Sequence, residues 1–448
     1  MDQRDVADLE AGLQEIWDTA AQLGLDPYPV HFEVVPAPIM HEFGAYGLPG
    51  RFSHWTYGRA YQQLKTLYDY GLSKIYELVI NTNPAYAFLV DTNSVLQNKV
   101  VVAHVLGHVD FFKHNAYFQL TNRQMLEGAS VNAERIRQYE FRHGSREVES
   151  FLDAVLSIQE HVEFSVRRRS TPTAAGSRRP APARETPYDD LFYVGSERPP
   201  EPAAAPHQVP REPERDLLLF IAEHARGLED WQLDVVHIVR AEQLYFRPQM
   251  MTKIINEGWA AFCHARIMRA MDLSASDHLE FSRMHASVLS PSRRQLNPYY
   301  LGMKLFEDIE RRWDSDKVKE VRELESDVSF LRNYLTAELV EELDLYLYER
   351  KGNEWVVVDK DWEKVRDSLT RALTNFGQPY IVVKDGDFKS NGELYLEHFF
   401  EGQELEIPYA TRTLEQVFRL WGRTVHLATQ LGEKSAVLSF DGREHTRK

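Results

Sequence analysis

Apolar positions recur at helical spacing over most of this chain and alternate at strand spacing in only a few short runs. Val6, Leu9, Leu13, Ile16 and Trp17 share one face of a helix predicted over 2–23. Pro27, Pro29, Pro36 and Pro38 mark a loop. A short helix over 39–46 ends at Gly47, Pro49 and Gly50, and another is predicted over 57–70. The β-branched and aromatic runs 75–80 and 86–90, separated by the turn sequence NTNP, read as strands. Helices follow over 95–112, 123–142 and 146–168, the last two split at His143–Ser145.

Residues 167–215 break this pattern. Ten of the 21 prolines fall there among Ala, Ser, Arg and Glu, too little apolar surface to offset the entropy of ordering. The stretch reads as a flexible insertion with a docked island at Tyr188–Val194. Helices resume over 216–225 and 229–245. Pro248 suits the first turn of the next, which runs to about Met271. Helices over 277–288 and 298–313 follow, the second with Asn297 as its N-cap.

Beyond Val328 the pattern changes to a hairpin (343–349 and 355–359 around Lys351, Gly352 and Asn353) and a helix over 362–376. Strands over 380–384 and 393–399, a helix over 414–422 and strands over 425–429 and 436–440 complete the chain. It therefore reads as α+β, mainly helical. The expected division is 1–166 and 216–327 as two parts of one core, 167–215 as the insertion, and 328–448 as a small α+β domain.

Composition narrows the function. A formal net charge of −16 argues against broad affinity for nucleic acid or acidic membrane surfaces. Cys263 is the single cysteine, so neither an internal disulfide nor a cysteine-rich zinc site is available. The N-terminus is acidic and amphipathic without a signal-peptide core, and no apolar run approaches the ~20 residues of a membrane span. The expectation is a cytoplasmic protein.

Chemistry concentrates in VVAHVLGHVDFFKHN. His104 and His108 are one helical turn apart, so two imidazoles share a face and can chelate one ion. An isolated pair of this kind is more often two hydrogen-bonded core histidines. A second run, NEGWAAFCH, offers Glu257 and, seven residues on and nearly on the same face, His264. HVLGH resembles the H-E-x-x-H helix of zinc peptidases, and NEGWA resembles the run that supplies the glutamate ligand in gluzincins. That resemblance implies a zincin-like metal-binding helical core with a small sheet. His104, His108 and Glu257 are its metal ligands, with His264 as a fourth ligand or a support for one. Zinc is the first expectation, and iron or manganese would suit the same donors.

Val105 stands where those peptidases carry the Glu that activates water, and valine accepts no proton. His114, Glu160 and Glu163 are candidate replacements. Asp110 points about 200° round the helix from His108 and reads as a structural acceptor.

The runs RFSHWTYGRAY, YGLSKIYELVINTNPAYAFLVDTNS, VVAHVLGHVDFFKHN, ARGLEDWQLDVVHIVRAEQLYFRPQMMTKIINEGWAAFCH and NPYYLGMKLFEDIERRWD together resemble the stage V sporulation protein R (SpoVR) family. The similarity spans nearly everything outside 167–215 and weakens towards the end. His54, His104, His108, Asp110, Asn256, Glu257, His264 and His285 fall inside the matching runs, which makes His54, Asp110, Asn256 and His285 further candidate site residues. The chain departs from the family pattern at Cys263, where an aromatic is expected, and at His114, where Asn is expected. The resemblance implies a cytoplasmic bacterial protein linked to spore-cortex formation or stress response, encoded in many species beside a PrkA-type serine protein kinase and a von Willebrand A-like protein. It implies no biochemical activity. Two readings stand: a metal-dependent hydrolase acting on peptide or cell-envelope material, and a non-catalytic scaffold or regulatory component pinned by a structural metal.

Overall fold

A computed structural model describes residues 3–69, 77–163, 209–290, 296–352 and 354–448. The island at Tyr188–Val194 and most of the Pro-rich insertion lie outside the described residues. In chain order the elements are α1 (Gln3–Gln22), β1 (Val30–Val35), α2 (Ala37–Tyr46), α3 (Trp55–Asp69), β2 (Glu77–Ile80), β3 (Ala85–Val90), α4 (Val95–His114), α5 (Met125–His143) and α6 (Ser145–Leu156). There follow α7 (Leu217–His224), α8 (Asp230–Met251), α9 (Lys253–Ala270), α10 (Ala275–Val288), α11 (Pro298–Arg312), α12 (Ser315–Leu324), α13 (Asp327–Tyr334) and α14 (Ala337–Glu342). The chain closes with β4 (Leu347–Lys351), β5 (Glu354–Asp359), α15 (Trp362–Leu373), β6 (Ile381–Phe388), β7 (Glu393–His398), α16 (Ile407–Trp421), β8 (Val425–Leu431), β9 (Lys434–Phe440) and β10 (His445–Arg447). The architecture is α+β and mainly helical, as expected. Among the described residues no helix is long and apolar enough to cross a membrane.

Two compact units form. The first comprises 1–153 and 241–378, and the second 154–240 and 379–448. The first is built on a three-stranded sheet of order β1-β3-β2, with β1 parallel and β2 antiparallel to the central strand. Both faces of β3 are covered, which is why its sequence AYAFLV is nearly all apolar. Ala85, Ala87 and Leu89 face a core that includes Ile16 of α1, Val102, Val105 and Leu106 of α4, Ile255 of α9 and Leu305 of α11. Phe88 and Val90 face Met40, Leu48, Met125, Ala129 and Tyr245. Strand β1 was not anticipated. The four prolines flank it rather than interrupt it, and pairing from Val30↔Ala85 to Val35↔Val90 satisfies its backbone.

Helix α4 starts where local chemistry says it should. Ser94 caps it, accepting from Gln97 N while the Gln97 side chain accepts from Ser94 N, a reciprocal capping box. The start of α9 differs from expectation. Helix α8 runs through Pro248 to Met251, and the chain breaks at Thr252, whose hydroxyl donates to Pro248 O at 2.7 Å. The first N–H groups of α9, at Ile254 and Ile255, are taken by the buried Asp327 carboxylate at 3.0 and 2.9 Å. That partner lies more than seventy residues away, so local sequence could not reveal the break.

Helices α12, α13 and α14 replace the pattern change expected at Val328. Phe330, Leu331, Leu339 and Val340 join the same core as α4, as does Val365 of α15. The compact unit therefore continues past 327 to residue 378, because these helices carry apolar stripes that need this core. The second unit holds a five-stranded sheet of order β10-β9-β8-β7-β6, with β7 and β8 parallel. Helix α16, which starts seven residues before the expected 414, buries Leu414, Val417 and Leu420. In the same unit Glu214 pairs with Val383, so this end of the expected insertion is held in backbone pairing.

Candidate metal centre

The site is set by how closely three helices approach. A Cβ on Gly107 of α4 would lie 2.8 Å from Ala260 Cα of α9, closer than side chains tolerate. A Cβ on Gly258 of α9 would clash with the backbone of Gly302 in α11. Glycine at these positions lets the helices touch backbone to backbone. His104 and His108 thereby face Asn256, Glu257 and His264, while Tyr299 of the first turn of α11 stacks on His104 with ring centroids 5.9 Å apart.

One ligand atom from each of His104, His108 and Glu257 lies within 4.8 Å of the other two. Both histidines are about 5% exposed, and the Glu257 side chain is 13% exposed. Glu257 Oε2 stands 3.6 Å from His104 Nε2 and 3.4 Å from His108 Nε2. These separations exceed a usual hydrogen bond. Two atoms bound to one tetrahedral zinc at ~2.0–2.1 Å are about 3.3 Å apart, so the spacing suits a shared cation better than direct bonding. In agreement, His104 Nε2 and Glu257 Oε2 are buried without a hydrogen-bond partner. Burial raises the Glu257 carboxyl, but the neighbouring His104 and His108 outweigh it and hold the group well below the usual carboxylate range. The other oxygen, Oε1, meets Lys253 at 3.3 Å.

The far nitrogens are also engaged. His108 Nδ1 lies 2.9 Å from Asn256 Oδ1, so the ring carries its proton on Nδ1 and turns the Nε2 lone pair towards Glu257. His104 Nδ1 meets His264 Nδ1 at 2.9 Å, and His264 Nε2 meets His285 Nδ1 at 2.9 Å. His264 thus sits behind His104 rather than among the ligand atoms, with both ring nitrogens occupied. Burial, with His104 and His285 beside it, pushes His264 well below the ordinary histidine range, and burial lowers His285 to about 4. Both rings are neutral near pH 7, the form that orients a ligand.

Other expected residues go elsewhere. The buried Asp110 accepts from Asp26 N at 2.8 Å, from Trp259 Nε1 at 3.0 Å and from Arg322, tying α4 to α9 and α12 as a structural acceptor. His54 joins a separate cluster, with Nδ1 2.8 Å from Thr56 Oγ1 and Nε2 3.3 Å from Asp153. His114 faces Asp26, 3.2 Å from its carbonyl oxygen. Glu160 and Glu163 belong to the second unit.

Two residues at the site were missed. Glu77, the first described residue of β2, is half-buried beside the cluster. Burial raises its carboxyl, and among neighbouring charges His104 acts on it most, followed by Glu257 and His108. Tyr299 lies near Glu257 and Glu77, and burial, reinforced by both carboxylates, pushes its phenol up so that it stays protonated. Neither carries a local motif. Glu77 reads as a polar strand residue and Tyr299 as an aromatic following a helix cap.

Fold and site together define a mainly helical α+β protein with a buried His-His-Glu cluster on two packed helices. The chain belongs to the SpoVR-like protein family, whose model matches residues 3–378, and the SpoVR-like C-terminal domain matches 379–432. The boundary between the two coincides with the junction of the compact units at 378 and 379. The chain is similar to the uncharacterized protein YcgB of Escherichia coli K12, with 27% identity covering 94% of this chain and 92% of that one. No solved structure matches it.

Proposed function

We propose that His104, His108 and Glu257 hold one divalent metal ion, zinc first by its donor set, and that the protein is a metal-dependent hydrolase of zincin-like build. The observation that carries this is the pair of partnerless buried atoms, His104 Nε2 and Glu257 Oε2, at metal-sharing separation. Leaving such atoms unsatisfied costs about 1–3 kcal/mol each, and more where charge is involved, which a cation would recover. Two histidines and one glutamate leave a fourth position for water, whose pKa zinc lowers towards 7. Asn256 and His264 orient the two imidazoles, with His285 behind His264.

The near-complete burial of both histidines favours a second reading, in which the metal is a structural pin within a scaffold or regulatory protein. The family resemblance supports a cytoplasmic role in spore-cortex formation or stress response, alongside a PrkA-type kinase and a von Willebrand A-like protein.

The test is elemental analysis of purified full-length protein and of His104→Ala, His108→Ala and Glu257→Ala. One equivalent of metal in the wild type and its loss in each variant is the expected result. Absence of stoichiometric metal from the wild type, or its retention in the variants, refutes the site.

A further inference from the structure

Val105 leaves the metal-binding helix without a carboxylate beside its first histidine, and His114, the replacement considered on the same helix, faces Asp26 instead. The fold brings another. In β2, Leu78 and Ile80 pack into the cluster around Met40 and Tyr245, whereas Val79 packs against the core built on α4. Glu77 shares the strand face of Val79, because side chains two apart point the same way. Its backbone is fixed by pairing with Leu89 on the central strand. The carboxyl therefore meets the charges of His104, Glu257 and His108 from the sheet side, while Glu257 approaches from α9. Tyr299 of α11 feels both carboxylates as well, so Glu77 and Glu257 act electrostatically on the same group beside His104.

We propose that Glu77 is the catalytic carboxylate of this centre, accepting a proton from the water or acidic ligand that the metal binds; the inference rests on the metal reading above. Glu257 cannot take that role while it serves as a ligand. In hydrolysis of an acyl substrate, an amide or ester, a water O–H bond breaks and its proton passes to Glu77. The remaining hydroxide forms a bond to the carbonyl carbon. As the bond from that carbon to nitrogen or oxygen breaks, the proton passes from Glu77 to the departing atom. Nothing is oxidised or reduced. Strand β2 supplies the carboxylate that the peptidase motif places on the helix.

The test uses full-length protein loaded with cobalt(II) and titrated with two probes, followed by the metal's visible absorption. Acetohydroxamic acid must surrender its O–H proton to bind as the anion, whereas azide binds already charged. Glu77→Gln is expected to keep one equivalent of metal and wild-type azide affinity but to bind acetohydroxamic acid about ten- to hundredfold more weakly. That range corresponds to losing one hydrogen bond to a charged group. Glu77→Asp, which keeps the acid on a shorter stem, should recover part of the loss and guards against a folding defect in the first variant. Unchanged hydroxamate affinity overturns the proposal. So does loss of metal from Glu77→Gln, which would make Glu77 a ligand. If the wild type itself takes up no metal, the failure lies in the metal reading, and the two failures are told apart by wild-type metal content.

Discussion

The approach of α4 to α9 at Gly107 can be tested by adding one methyl group. Gly107→Ala places a Cβ 2.8 Å from Ala260 Cα and 3.3 Å from the Cβ atoms of Ala260 and Cys263. Carbon atoms in contact prefer ~3.5–4.0 Å, so the helices must separate by about 0.7 Å or more at this point. Overpacking of this kind costs about 1–3 kcal/mol, against which alanine returns up to ~1 kcal/mol of helix propensity. The net expectation is a loss of about 1–2 kcal/mol. Gly128 in α5 is the control, because a Cβ there meets nothing within 4 Å, and Gly128→Ala should stabilise by up to ~1 kcal/mol. The assay is urea unfolding followed by circular dichroism, with metal affinity measured by competition. Gly107 lies between His104 and His108, so on the metal reading proposed above Gly107→Ala should also weaken metal binding, whereas Gly128→Ala should not. If Gly107→Ala stabilises the protein as much as the control does, the close approach does not constrain the fold and the argument fails.

Four further outcomes follow from buried groups. Asp110→Ala removes the buried counter-charge of Arg322, itself only 5% exposed and left paired with Glu323, and should cost about 3 kcal/mol in urea unfolding; a loss below 1 kcal/mol would show that the pair is dispensable. Burial raises Asp327 to about 7, against the opposing pull of the Ile254 and Ile255 N–H groups and Lys253. The folded state therefore holds a proton that the unfolded chain releases near pH 4, so stability falls as pH rises from about 4 to 7, by up to ~1.4 kcal/mol per unit; Asp327→Asn should flatten that slope, and an unchanged slope refutes the assignment. Cys263 is buried, with its thiol pushed well above the usual range by burial and by Asp110, so it should resist thiol reagents until denaturant is added. Val105→Glu would bury a carboxylate in the apolar core and should cost on the order of 4 kcal/mol; a stable variant would show that this position opens to the site.

What could be read from sequence was what local spacing encodes. His104 and His108 share a face because four residues make one turn, and NEGWAAFCH placed Glu257 and His264 on a second helix by the same rule. The strand β3 was visible because burial on both faces leaves it almost wholly apolar. What escaped depended on distant partners. The start of α9 is set by Asp327, β1 owes its pairing to β3, and α12 to α14 belong to the core through residues such as Phe330 and Leu339. His264 was placed on the right face, but its role depended on His285, whose helix could not be positioned from sequence.

Val105 was the letter on which an enzymatic reading turned, and its surroundings change its meaning. It is fully buried in the core shared by α1, β3, α4 and α9. The demand at that position is packing, and a charged side chain would oppose the same helix contacts that bring the histidines to Glu257. Glu77 meets no such conflict. It enters from the edge strand of the sheet, where its side chain is only partly buried, and it still senses His104, Glu257 and His108. Separating the packing residue from the acid relieves a constraint that a single helix position would have to satisfy twice. A motif search along one helix misses that arrangement, because its acid lies on strand β2, twenty-seven residues before His104.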